Sequence, residues 1–199
     1  MLWGAPNLLT LSRIAAIPML VVLFYLPGAW AKWTACAVFA AAATTDWVDG
    51  HLARRWAMQS PLGRCFDPIA DKLLVAAAIV MLVGFGRAPL LPALVIVGRE
   101  IAVSGLREFL AEARVGLPVS RLAKWKTGVQ MTAIGFLLVG DAGPAALHVP
   151  EIGTIGLWVA ALLTLVTGYD YLREGLRHMA VDEPERPPLA AAKPSPGQP

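Results

Sequence analysis

Cysteine and histidine are scarce: the 199 residues hold two Cys, Cys36 and Cys65, and three His. The cysteines lie far apart, and no Cys/His cluster occurs that could hold a soft or borderline metal. Both are expected as free thiols. Charge is scarce too. Charged residues make up 16% of the chain and hydrophobic ones 57%, where a soluble domain carries about 25% charged residues. That balance excludes an ordinary soluble domain and points to a single domain built in a bilayer. The small basic surplus, a net charge of +3, is scattered between apolar stretches, which suits anionic lipid and not nucleic acid. No internal repeat is present beyond the succession of apolar helices.

Against this background the stretch 46–71, DWVDGHLARRWAMQSPLGRCFDPIAD, stands out. Four carboxylates, Asp46, Asp49, Asp67 and Asp71, fall inside two strongly apolar segments. There a lone charge costs about 2.5 to 3.5 kcal/mol at mid-membrane depth, so each needs a partner. On a helix, Asp46 and Asp49 lie about 60° apart around the axis and Asp67 and Asp71 about 40° apart. Each helix therefore shows one carboxylate pair on one face. Between them Ser60-Pro61-Leu62-Gly63 interrupts helical continuation, and a turn there makes the two helices antiparallel and brings the pairs together. Four close anions repel one another unless a cation sits among them. All-oxygen ligands favour hard divalent ions over zinc, and four carboxylates suffice for two metals. The simpler alternative pairs the acids with Arg54, Arg55, Arg64 and Lys72 at a membrane surface.

The hydropathy pattern predicts an all-α polytopic membrane protein with six transmembrane helices and a short N-terminal interfacial segment, residues 1–13. The spans are expected at Ile14–Leu26, able to begin as early as Leu8, and at about Trp30–Arg55, Asp67–Phe85, Leu90–Ala113, Leu122–Val139 and Ile152–Arg173. Arg13, the following apolar run and Ala29-Trp30-Ala31 imitate a signal peptide, but a start at Leu8 makes the run long enough for a tilted span. Residues 1–180 form the membrane domain. Residues 181–199, proline-rich and without apolar periodicity, read as a disordered tail.

Lys and Arg gather on one side of these spans: Arg54, Arg55, Arg64, Arg107, Arg114, Arg121, Lys124, Lys126, Arg173 and Arg177, against Lys32 and Arg87 near the other. The basic side is cytoplasmic by the positive-inside rule, with both termini and the carboxylates facing it. Arg99, Arg107, Arg121, Lys124 and Lys126 form a second constellation. Cations beside a polyanionic metal site can hold a phosphate-bearing substrate that carboxylates alone would repel. The competing reading pairs Glu100 with Arg107, seven residues apart on nearly one face, and makes Lys124 and Lys126 topology anchors. Intramembrane acids also mark cation transporters, but these four cluster near one end of their helices, and a transporter gives Gly50 and Arg54 no role.

Asp46-x2-Asp49-Gly50-x2-Ala53-Arg54-x8-Gly63-x3-Asp67-x3-Asp71 resembles the signature of the CDP-alcohol phosphotransferase family, integral membrane enzymes of phospholipid synthesis. Asn7-Leu8-Leu9-Thr10-Leu11-x-Arg13, Asp67 to Lys72, Arg99-Glu100, Leu106-Arg107-Glu108 and Lys124-x-Lys126-Thr127 are similar to the branch that uses glycerol 3-phosphate. The resemblance implies two Mg²⁺ or Mn²⁺ ions held by Asp46, Asp49 and Asp67, with Asp71 completing one shell and acting as general base. The resemblance places CDP-diacylglycerol at Gly50, Arg54, Ser60 and Gly63; the candidates for the acceptor phosphate are the cations Arg107, Lys124 and Lys126, with Arg99 and Arg121 behind them. It implies transfer of a phosphatidyl group to sn-glycerol 3-phosphate with release of CMP, a homodimer, and a bacterial inner membrane. An enzyme of the cardiolipin synthase type, with phosphatidylglycerol as acceptor, would share the same metal half.

Overall fold

The computed structural model describes the backbone of residues 5–56, 61–112 and 121–181, and side chains for 11–45, 69–70, 72–110, 122, 124–169, 171–173 and 175. Six helices carry the chain: α1 (Ala5–Tyr25), α2 (Ala29–Trp56), α3 (Pro61–Gly84), α4 (Leu90–Glu112), α5 (Arg121–Val139) and α6 (Val149–Val181). Two short 3-10 turns, Gly140–Ala142 and Ala145–Leu147, join α5 to α6. No strand occurs among the described residues.

Proline and glycine set several of the boundaries. Pro61 opens α3, a position where its missing N–H is not needed, so the helix begins six residues before the expected Asp67. Gly28 (φ +102°) turns the chain from α1 into α2, and Gly86 (φ +67°) stands between α3 and α4. The N-terminal expectation is corrected. One continuous helix runs from Ala5 through Arg13 to Tyr25, Pro18 included, in place of an interfacial segment over 1–13. Nothing between Asn7 and Ile14 breaks a helix, and the Arg13 side chain is only 1% exposed. At the other end of the chain α6 continues to Val181, well past the expected Arg173.

The helices alternate in direction. Phe24 and Tyr25 at the end of α1 stack on Phe85 just after α3, each at 5.3 Å between ring centres. Lys32 near the start of α2 pairs with Asp141 just after α5, and Trp33 Nε1 donates to the Ala142 carbonyl at 3.2 Å. These contacts gather four helix ends, those of α1, α3 and α5 and the start of α2, at one pole of the bundle. The end of α2, the start of α3, the end of α4 and the start of α5 therefore lie at the opposite pole, which carries the acidic stretch and most of the Lys and Arg.

Within the bundle α1 packs against both α2 and α3, α5 against α2 and α6, and α4 against α6. The core is aliphatic, with Leu20, Leu74, Ile79, Leu82, Ile96, Ile134, Leu137, Leu138 and Leu157 fully buried beside Phe39. The α5–α6 seam is tight. A Cβ on Gly153 would lie 2.8 Å from Leu137 Cγ and 3.1 Å from its backbone nitrogen, and one on Gly156 would lie 3.0 Å from Ala133 Cβ. Small residues thus let the two backbones approach.

The outside is as apolar as the inside. Leu91, Leu94, Ile101, Leu162, Leu165 and Val166 are all exposed, a surface that water would not tolerate but lipid would. By length and composition one described stretch, Ala145–Arg173, suffices to cross a membrane, while Leu11–Tyr25 and Lys72–Gly84 are shorter apolar stretches.

Candidate active site

Counted along their helices, the acidic residues lie at similar distances from the end of α2 and the start of α3. Asp46 lies ten residues before the end of α2 and Asp71 ten after the start of α3; Asp49 and Asp67 lie seven before and six after. At about 1.5 Å per residue the two outer acids sit about 15 Å from the helix ends and the two inner ones about 10 Å. Gly50 and Arg54 lie on α2 and Gly63 on α3. Ser60 and the side chains of Asp46, Asp49, Arg54, Cys65, Asp67 and Asp71 fall outside the described residues, as does the tail 182–199. Among the described residues no three His, Cys, Asp or Glu side chains group as metal ligands, and Cys36 is a free thiol. Four carboxylates on two adjoining helices suit a hard cation by their donor chemistry.

The second constellation is described at the side chains. Lys126, 4% exposed, reaches across from α5 to pair with Glu100 on α4. Arg99 Nη1 lies 3.5 Å from the same Glu100 oxygen, and Arg99 Nη2 donates to Thr167 Oγ1 on α6 at 3.2 Å. Arg107 Nη2 donates to the Tyr171 hydroxyl at 2.8 Å. The Tyr171 ring lies near both arginines, its centre 5.6 Å from the Arg99 guanidinium carbon and 4.9 Å from that of Arg107. Three helices thus contribute: α4 gives both arginines and the glutamate, α5 the lysine, and α6 the threonine and tyrosine.

Three of the five expected phosphate ligands, Arg99, Arg107 and Lys126, are brought together. Lys124 is not. Two residues from Lys126, it lies about 200° around α5 and lines a separate groove of about 590 Å³ with Trp125, Phe136 and Ile152. The Arg121 side chain is outside the described residues. The alternative pairing of Glu100 with Arg107 is replaced by Glu100 with Lys126 and Arg99, because Arg107 turns to α6. Lys126 is no surface anchor. Lys72, next in sequence to Asp71, donates to Ser104 on α4.

Tyr171 and Thr167 escaped the sequence reading, which treated the last helix as a plain span. Their signal was two hydroxyl side chains four residues apart in an apolar helix. A small cavity of about 90 Å³ adjoins the cluster, lined by Lys72, Glu100, Thr127 and Gln130 above an apolar floor that includes Val75 and Ile96. Gln130 is 3% exposed, and its Oε1 has no hydrogen-bond partner among the described residues.

Charge decides what this cluster can hold. Arg99, Arg107 and Lys126 stand against Glu100, so the described side chains carry a surplus of two positive charges. A phosphate monoester, close to a dianion at neutral pH, neutralises it, and the arginine edges offer the paired N–H donors such an anion accepts.

Residues 3–166 match the family description CDP-alcohol phosphatidyltransferase. A Rickettsia typhi protein named CDP-diacylglycerol–glycerol-3-phosphate 3-phosphatidyltransferase is 45% identical over 168 residues, 84% of this chain and 94% of its own. Proteins of the same name from Pseudomonas fluorescens and Cereibacter sphaeroides are 46% and 38% identical, each over 89% of this chain and over 92% and 97% of their own. A match that spans the acidic stretch and the Arg99–Lys126 cluster alike, with relatives aligned over nearly their whole length, means that the chain belongs to the CDP-alcohol phosphatidyltransferase family.

Proposed function

We propose that this chain transfers the phosphatidyl group of CDP-diacylglycerol to sn-glycerol 3-phosphate, forming phosphatidylglycerol phosphate and CMP. The observation that carries the acceptor assignment is the doubly positive cluster of Arg99, Arg107 and Lys126 around Glu100, which suits a terminal phosphate monoester better than a singly charged diester. The names of the relatives point the same way.

In this reading the six helices all span the bilayer. At 19 to 33 residues each they reach about 28 Å or more, close to the hydrocarbon thickness, and the exposed aliphatic surface faces lipid. The pole rich in Lys and Arg lies at the cytoplasmic side of a bacterial inner membrane. The acyl chains of CDP-diacylglycerol stay in the bilayer, and its nucleotide lies against Gly50, Arg54, Ser60 and Gly63. Asp46, Asp49, Asp67 and Asp71 would hold Mg²⁺ or Mn²⁺, which supplies charge neutralisation to the pyrophosphate and to departing CMP. Arg99, Arg107 and Lys126 fix the acceptor by its phosphate. Its primary hydroxyl oxygen forms a bond to the β-phosphorus as the bond from that phosphorus to the bridging oxygen breaks. CMP leaves with the bridging oxygen, and Asp71 takes the hydroxyl proton. A homodimer is the assembly that the family resemblance implies.

The test is CMP release by purified protein given CDP-diacylglycerol and a panel of acceptors. Release with glycerol 3-phosphate supports the assignment. Release with phosphatidylglycerol but not with glycerol 3-phosphate would replace it with the cardiolipin-forming reaction. No metal-dependent CMP formation in detergent with any acceptor would leave cation transport as the reading of the acidic helices.

A further inference from the structure

The two arginines of the cluster come from one helix but are eight residues apart, about 12 Å along α4. Left alone, two long flexible cations of like charge separate. What holds them at one place is α6. Tyr171, 6% exposed, presents its ring to both guanidinium groups and its hydroxyl to Arg107. One turn earlier Thr167 accepts from Arg99 and donates its own proton to the Leu163 carbonyl at 2.8 Å, which fixes its rotamer. Between them Gly168 clears the way for the Arg99 stem, since a Cβ there would lie 3.0 Å from Arg99 Cγ and 3.4 Å from Nε. Thr167, Gly168 and Tyr171 lie on one face of α6 at the spacing of adjacent turns.

We propose that this face of α6, with Tyr171 at its centre, is a positioning element that sets the two acceptor-binding arginines at the separation a phosphate monoester needs, and so determines acceptor affinity without touching the reacting atoms. The inference rests on the acceptor site proposed above. The face of a phenol ring attracts a guanidinium while leaving its N–H edge unspent, and the hydroxyl engages only one of the five Arg107 donors. Both arginines are thereby held yet remain able to bind an anion.

The experiment measures steady-state kinetics of the full chain in detergent, varying glycerol 3-phosphate and CDP-diacylglycerol separately, for Tyr171→Phe, Tyr171→Leu, Thr167→Val and Arg107→Ala. Tyr171→Leu loses ring and hydroxyl and is expected to raise KM for glycerol 3-phosphate about tenfold. Tyr171→Phe keeps the ring and should raise it about threefold. Thr167→Val is expected to fall between wild type and Tyr171→Leu. In all three KM for CDP-diacylglycerol stays within about twofold, and kcat falls less than the acceptor KM rises. A merely structural role predicts instead that both KM values move together, or that only the active fraction falls; either result overturns the proposal. If Tyr171→Leu does not fold, Tyr171→Phe decides it by the same split. If Arg107→Ala raises the acceptor KM while no α6 variant does, the positioning role alone is wrong. If Arg107→Ala leaves it unchanged, the acceptor site itself is misplaced and the proposal falls with it.

Discussion

Lys126 and Lys124, separated by one residue on α5, serve opposite sides of the helix: Lys126 is buried against Glu100, whereas Lys124 is exposed on the groove between α5 and α6. The helical repeat requires this, because two residues turn the chain by about 200°. A Lys-x-Lys motif on a helix cannot deliver both amines to one small anion without a distortion, and α5 is continuous through both positions. The two lysines are therefore expected to differ sharply on substitution.

Lys126→Ala leaves the half-buried Glu100 carboxylate, among the described residues, with one weak contact from Arg99 and removes a phosphate donor. Losing one partner of a buried pair costs about 3 to 5 kcal/mol, and partial exposure of Glu100 reduces this. A fall of about 10²-fold in kcat/KM for glycerol 3-phosphate is expected, against less than twofold for Lys124→Ala. Equal losses in the two variants would contradict the geometry.

Asp71→Asn keeps the shape of the side chain but removes the base. Turnover should fall by about 10² to 10⁴-fold while binding of CDP-diacylglycerol, followed by titration calorimetry, is largely retained. Wild-type turnover would rule Asp71 out as the proton acceptor.

Removal of divalent metal with a chelator should abolish CMP release, and added Mg²⁺ or Mn²⁺ should restore it in the wild type. Asp49→Ala is expected to respond poorly to the added metal. Full activity after exhaustive chelation would remove the metal from the reaction.

The α5–α6 seam has no room at Gly153. Gly153→Leu forces apart backbones already in contact through Leu137, with an expected loss of about 1 to 3 kcal/mol visible as a lower midpoint of thermal unfolding in detergent. An unchanged midpoint would mean that the helices separate more easily than their packing indicates.

Asp141, at the pole remote from the acidic stretch, has its carboxyl held below the usual carboxylate range, first by its hydrogen bond from Lys32. A depressed folded value means a stabilising contribution that is complete above the unfolded carboxylate value of about 3.9 and is lost as pH falls through the lower folded value. The side chain is 80% exposed, so the effect is small, under about 1 kcal/mol. Asp141→Asn should lie slightly below wild type in thermal stability at neutral pH, and the gap should begin to narrow as pH falls below the unfolded carboxylate value of about 3.9. A gap that is already lost well above that value would locate the effect elsewhere.

Much of the fold was legible because apolar runs and their breakers act locally. Pro27-Gly28 and Pro89 bound helices as their chemistry requires, and α2, α4 and α5 fall within two residues of expectation. Arg13 misled because a charge before an apolar run reads as an interface, whereas α1 buries this one. In the site, Arg99, Arg107 and Lys126 could be named from type and spacing. Which of them converge could not, because that depends on helix rotation and on α6, whose contacting residues lie 68 and 64 positions after the two arginines. Tyr171 was missed for the same reason: despite the hydroxyl it shares with Thr167 at helical spacing, an aromatic in an apolar helix looks like packing until its neighbours on another helix are known.

An even number of alternating helices has a practical corollary. If all six helices span the bilayer as proposed, the first residue of α1 and the last of α6 emerge into the same compartment and the hairpin at 143–148 into the other. A fluorescent reporter fused behind Val181 and a periplasm-dependent phosphatase inserted at that hairpin should both light up in living cells, and exchanging the two reporters should silence both.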